Sequence, residues 1–142
     1  MMVFVDTAAW VALVAEKDPH HESVAKEWRE VLERGAGLVT SSDVCSETIT
    51  FLRYNMGRRI AVSFYRALQA AVAEERLLID WVTPAIFEEA WAMFEKHDDQ
   101  KFSMVDCTSF VICRKRDIET VLTLDRNFLV AGFQIVPNAA AR

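Results

Sequence analysis

Two short apolar runs, each closed by an aspartate, constrain the fold of this 142-residue chain more than any other feature. Met2-Val3-Phe4-Val5 ends at Asp6, and Thr120-Val121-Leu122-Thr123-Leu124 ends at Asp125. A continuous apolar run without alternation is a strand buried on both faces, as in a parallel sheet. Parallel strands need long crossovers, usually helical, and the segments between these runs have helical periodicity. The expected fold class is therefore α/β. Each aspartate stands at a C-terminal strand tip, the edge outside which open α/β sheets bind their ligands.

The remaining segments fit that frame. Thr7–Glu16 is apolar nearly all round and reads as a buried helix. His20–Arg34 carries Val24, Trp28 and Leu32 at helical spacing and stops at Gly35 and Gly37. Leu38–Thr40 is a short strand. Ser41 or Ser42 caps a third helix to Met56, and Gly57 separates it from a fourth, Arg58–Glu75. Leu77–Val82 is a strand, and Pro84 starts a helix to Lys96 at a position that proline tolerates. Ser103 caps a helix from Met104 to Arg116, and Phe133–Val136 is the last strand. The tail 137–142 is expected to fray. No repeat or linker divides the chain, so a single domain over residues 1–142 is expected.

Composition closes off several classes. Hydrophobic residues make up 52% and charged residues 26%, which suits a packed core and excludes a disordered chain. The net charge of −5 does not advertise nucleic-acid binding by the surface as a whole. Cys45, Cys107 and Cys113 have no metal or redox spacing and read as small core residues in a reducing cytosol. Asp6 interrupts the N-terminal apolar stretch and no Lys or Arg precedes it, which argues against a signal peptide. No stretch reaches the length of a membrane span. The expected location is cytoplasmic.

Glu47 and Asp106 join the two strand-tip acids, in what the sequence places as the first turns of two helices. Taken singly, each acid has a plainer reading. Asp6 and Asp125 could be turn formers, Glu47 could sit on a solvated face, and Asp106 has capping-box spacing from Ser103. Together they fall on one edge of the sheet, with no obvious cation beside them. Two carboxylates about 6 Å apart repel by about 3 kcal/mol at an effective dielectric near 20. Collected acids therefore point to a counter-ion. An all-oxygen donor set favours Mg²⁺ or Mn²⁺ over Zn²⁺. Such a site can activate water against a phosphodiester.

Four segments carry a resemblance. They are Phe4-Val5-Asp6-Thr7-Ala8-Ala9-Trp10, Ser46-Glu47-Thr48, Phe102-Ser103-Met104-Val105-Asp106-Cys107-Thr108-Ser109-Phe110, and Leu122-Thr123-Leu124-Asp125-Arg126-Asn127-Phe128. The chain resembles the PIN domain along essentially its whole length, and most of all the single-domain VapC-type toxins of toxin–antitoxin pairs. That resemblance implies a three-layer fold with a mainly parallel sheet flanked by helices. It implies a Mg²⁺- or Mn²⁺-dependent endoribonuclease with Asp6, Glu47, Asp106 and Asp125 as its catalytic, metal-binding acids. Thr7 would support them, and Asn127 stands where the family varies among polar residues. It further implies an RNA substrate, a homodimer, and silencing by a small VapB-type antitoxin that covers the acids. The alternative reading is a non-catalytic PIN-like module that binds RNA or protein.

Other features are weaker. A dehalogenase-type phosphatase would need Asp-x-Asp, and residue 8 is Ala; a receiver domain would need an acidic pair at the first strand. Four glycines leave little material for a phosphate loop. His20-His21-Glu22 reads as a polar helix start, since adjacent helical residues face different ways. Residues 48–73 hold Arg53, Arg58, Arg59 and Arg66 and no acid. This segment could contact RNA phosphates, a partner protein or only solvent.

Overall fold

Burial explains the sheet. In a computed structural model describing residues 1–138, the runs that read as apolar strands form its interior. The elements are β1 (Met2–Val5), α1 (Thr7–Val14), α2 (His21–Glu33), β2 (Gly37–Ser41), α3 (Ser42–Met56) and α4 (Arg58–Ala73). They continue with β3 (Leu77–Asp80), α5 (Pro84–Lys96), α6 (Met104–Lys115), β4 (Thr120–Leu122), α7 (Asn127–Val130) and β5 (Gln134–Val136). The five strands form one parallel sheet in the order β3-β2-β1-β4-β5, flanked by helices. This is the expected three-layer α/β class. Val3, Phe4 and Val5 are fully buried, as a central strand requires.

The strand order fixes where a ligand can sit. From β1 the chain steps outward through β2 to β3, then returns on the other side as β4 and β5. The direction of winding reverses between β1 and β4, and a crevice opens at such a switch point, outside the carboxyl ends of the strands. Asp6 follows β1 and Asp125 follows β4, so the two flank this crevice. The backbone ladder runs on slightly past both strands, with Asp6 N donating to Leu122 O (3.1 Å) and Thr123 N to Val136 O (3.0 Å).

Two clusters hold the layers. Trp10 meets Trp28 and Phe64 edge-on at 5.5 and 5.7 Å, and its Nε1 donates to Thr40 Oγ1, which donates onward to Val5 O. That chain of bonds pins α1 to the start of the crevice. At the other end Phe110 packs against Phe102, Phe128 and Phe133. Cys45, Cys107 and Cys113 are free and buried, as expected of core residues.

Several boundaries differ from the sequence reading. α1 ends at Val14 and β3 at Asp80, each two residues early. β4 ends at Leu122, so Asp125 sits in the loop beyond the strand and not on its tip. Here Thr123 turns its hydroxyl into the structure and accepts from Asp125 N, a local bond that competes with the ladder. The short α7 is an addition, nucleated when Asp125 Oδ1 accepts from Asn127 N. Ser41, not Ser42, caps α3, accepting from Val44 N. Leu32 is exposed while Val31 is buried, so α2 faces the core through Val24 and Val31. Of the tail expected to fray, residues 139–142 lie outside the described residues. Among the described residues no helix is long and apolar enough to cross a membrane.

Candidate active site

The four acids arrive from four elements and line one open cleft of about 510 Å³. Asp6 comes from the end of β1, Glu47 from α3, Asp106 from α6 and Asp125 from the loop after β4. Asp6 and Asp106 are buried, at 5% and 7% exposure, Asp125 is half-buried and Glu47 is exposed at the mouth. Glu47 stands in the second turn of α3, since the acid of the first turn is Asp43. Thr7, Asp18, Lys101, Ser103 and Asn127 share the lining. Lys101 is the cation that the sequence reading did not find beside the acids.

Neutral donors hold the carboxylates in place. Thr123 Oγ1 donates to Asp6 Oδ2 (2.9 Å) while accepting from Asp125 N (3.0 Å), which ties two of the acids to one hydroxyl. Asn127 likewise ties Asp106 to Asp125. Its Nδ2 donates to Asp106 Oδ2 (3.2 Å), and its backbone N–H donates to Asp125 Oδ1 (2.9 Å). Asp106 also closes a capping box on α6: Ser103 N donates to Asp106 Oδ2, and Asp106 N donates to Ser103 Oγ, both at 3.0 Å. Capping and ligation do not compete here, because Asp106 keeps its second oxygen.

The electrostatics follow from burial first and repulsion second. Loss of water pushes the Asp6 carboxyl up to about 7, with Asp106 and Asp125 adding smaller upward pushes and the Thr123 and Thr7 donors opposing them. Asp106 is raised by burial, with Asp125 and Glu47 as lesser causes. Repulsion among the acids thus adds to burial as a lesser cause.

Do these residues fit a divalent ion? Among the described residues no three His, Cys, Asp or Glu side chains are already drawn together to hold one. The donor chemistry nevertheless suits a hard ion. The cleft supplies carboxylate oxygens from all four expected acids, and the Thr7 hydroxyl is buried beside them with no hydrogen-bond partner among the protein atoms. An orphaned buried hydroxyl implies a missing partner such as a bound water. Ions of this kind keep several waters and need few direct protein ligands.

A family model described as PIN domain matches residues 3–134. The chain belongs to the PIN family. This PIN chain is 33% identical over 132 residues to the 23S rRNA-specific endonuclease VapC20 of Mycobacterium tuberculosis, in each of two strains. The match covers 93% of this chain and 95% of the relative. Among solved structures it resembles M. tuberculosis VapC20, described as a sarcin-ricin loop cleaving toxin, at 32% identity and a TM-score of 0.81. That likeness covers 92% of this chain and 95% of the other. The likeness is to a ribonuclease toxin and not to a non-catalytic module.

The residues that sequence reasoning undervalued are Thr123 and Asn127. Both lie two positions from Asp125, one on either side, in Thr123-Leu124-Asp125-Arg126-Asn127. A polar residue flanking an acid at that spacing can bond its backbone. That was the available signal.

Proposed function

We propose that this PIN protein is a divalent-metal-dependent endoribonuclease and the toxin of a toxin–antitoxin pair, with 23S rRNA as its substrate class by analogy with VapC20. One observation carries the reading: the four acids of a PIN chain share a cleft with a buried, unpartnered Thr7 hydroxyl. Asp6, Asp106, Asp125 and Glu47 would hold Mg²⁺ or Mn²⁺. When bound, such an ion favours ionised water near neutral pH and stabilises charge on the leaving oxygen of a phosphodiester.

The chain's own groups divide the remaining work. Thr123 and Asn127 orient the three inner acids, so little reorganisation is needed when RNA arrives. Glu47, exposed at the mouth, is free to accept the proton of an attacking water at its carboxylate. Lys101 at the rim can hold a phosphate oxygen.

The same reading extends to partners and place. A small VapB-type antitoxin would silence the protein by covering the cleft. The protein would work in the cytoplasm, and as one domain, a reading of its organisation that one continuous core and one sheet support. A homodimer fits the unused apolar surface of α5. On α4, Phe64 is buried and Tyr65 half-buried, so that helix offers little apolar surface to a second copy. On α5, Phe87, Trp91 and Phe94 are exposed at 47%, 44% and 39% along one helical stripe.

The test is cleavage of 23S rRNA by purified protein with Mn²⁺, with excess chelator, and as Asp6→Asn. Metal-dependent cuts that vanish in both controls support the reading. Full activity in chelator and in Asp6→Asn would remove it.

A further inference from the structure

On the face of α3 next to the acids lies a second concavity, of about 520 Å³, between α3 and α4. Its charge is opposite. Arg53, Arg58 and Arg66 line it, no acid does, and Tyr54 and Tyr65 stand among them. None of the three guanidinium groups has an ion pair or hydrogen bond among the described residues, although four other ion pairs form on this protein. Arg59, in the same sequence run, is not part of the lining. Tyr54 is 84% exposed, a large ring left in water.

We propose that this groove is an RNA-holding subsite that grips substrate flanking the cut, its arginines on backbone phosphates and Tyr54 stacked on a base. The inference rests on the ribonuclease reading and extends it. Three observations favour RNA over a protein occupant. Unpaired guanidinium groups without nearby acids leave a local field that only an anion neutralises. Arginine with exposed tyrosine is the combination that holds single strands, through phosphate contacts and sequence-tolerant stacking. The groove and the cleft also share α3 as a wall, with Glu47 and Phe51 lining the acid side and Thr50 and Arg53 lining this one. A strand that leaves the acid cleft across α3 therefore meets these cations, which the negative net charge of the whole chain conceals.

The experiment uses the full chain. Binding of a short single-stranded RNA oligonucleotide is measured in excess chelator over a series of KCl concentrations. Steady-state cleavage is measured with Mn²⁺. In Arg53→Gln/Arg58→Gln/Arg66→Gln, the slope of log affinity against log salt should fall by about 2, since each phosphate contact to a single strand contributes about 0.7. The loss in cleavage should fall in KM rather than in kcat, because these residues do not touch the reacting atoms. Tyr54→Ala, a change at an exposed position that leaves the fold intact, should weaken binding between about 5-fold and 100-fold. An unchanged slope together with unweakened binding in Tyr54→Ala overturns the proposal while leaving a cleaving wild type, and hence the ribonuclease reading, in place. Loss of self-association or of antitoxin binding with an unchanged slope also overturns it, in favour of a protein interface. A wild type that neither binds nor cuts RNA removes both.

Discussion

The acid cleft and the arginine groove lie on neighbouring faces of α3 and treat charge in opposite ways. In the cleft, Asp6 and Asp106 are buried, and neutral donors from Thr123, Asn127 and Ser103 fix their oxygens. In the groove, Arg53, Arg58 and Arg66 are exposed and nothing fixes them. Burial makes a charge costly and therefore informative, because a fold keeps it only where chemistry needs it. Exposure makes a charge inexpensive and adaptable, which suits a surface that follows a flexible backbone. The difference separates reacting from holding. Rigid, desolvated acids perform chemistry, and mobile, hydrated cations gather substrate.

The largest test of that division is removal of a buried acid. Asp6→Asn and Asp106→Asn should each lower RNA cleavage by more than about 100-fold, since even groups one step removed from a metal cost 10- to 100-fold. Glu47→Gln should cost less in Mn²⁺ affinity than either, because Glu47 is exposed and contributes a less confined oxygen. Mn²⁺ titration followed by thermal shift reads the affinities. Equal losses at all three positions would break the link between burial and binding.

A second test uses protons as competitors for the cleft. Burial raises Asp6 to about 7, so this carboxylate is partly protonated at neutral pH when no ion is bound. Mn²⁺ affinity should then rise by up to about tenfold per pH unit below 7 and level off above it. The groove, made of arginines, should bind RNA in chelator with little change over the same range. Flat Mn²⁺ affinity from pH 5 to 8 would show that Asp6 is not in the ion's shell.

The same group sets a stability term whose sign can be worked out. The folded carboxyl titrates near 7 and its unfolded reference is 3.8. Between those values the folded state binds more protons than the unfolded state, so stability falls as pH rises through the window. In metal-free protein Asp6→Asn should thus be more stable than wild type at pH 8, by up to about 4 kcal/mol, and the gain should vanish near pH 4. Urea melts at the two pH values measure it. A destabilised Asp6→Asn at pH 8 would mean that the Thr123 bond needs the charged carboxylate more than burial opposes it.

The frame of this molecule was legible in its sequence because burial writes itself into long-range composition. Val3-Phe4-Val5 and Val121-Leu122 have no polar alternation because both their faces are covered, and helix stops at Gly35 and Gly57 coincide with positive φ, where Gly is at ease. Asp6, Asp106 and Asp125 were legible because each stands at or just past an element boundary, and Glu47, inside α3, was legible only through the resemblance of its segment. The supporting hydroxyl and amide were not. Thr123 and Asn127 act through bonds that exist only once β1, α6 and the loop after β4 have met, and neither has a spacing that separates it from an ordinary turn residue. The arginine groove was half legible. The charge run was visible, but which arginines share a concavity depends on how α3 and α4 pair across Gly57, and that pairing leaves Arg59 outside it.

The smallest effect tests whether the cleft is held as firmly as its bonds imply. Ser103 Oγ accepts from Asp106 N, and the two residues bond reciprocally across the first turn of α6. Ser103→Ala removes the hydroxyl but leaves the Ser103 backbone N–H that donates to Asp106 Oδ2. Loss of a cap of this kind costs about 1 kcal/mol of stability. Asp106 would keep two donors, the residue 103 N–H and Asn127 Nδ2, so cleavage should fall by less than about tenfold. Asn127→Ala removes the amide shared between Lys101 O and Asp106, and should cost more activity than Ser103→Ala for a similar loss of stability. Thermal melts and initial rates on the same preparations separate the two effects. If Ser103→Ala proved as damaging to the rate as Asn127→Ala, the carboxylate would be positioned by the helix start alone. The contrast between a cleft fixed by bonds from several elements and a groove left free would then narrow to a contrast of burial.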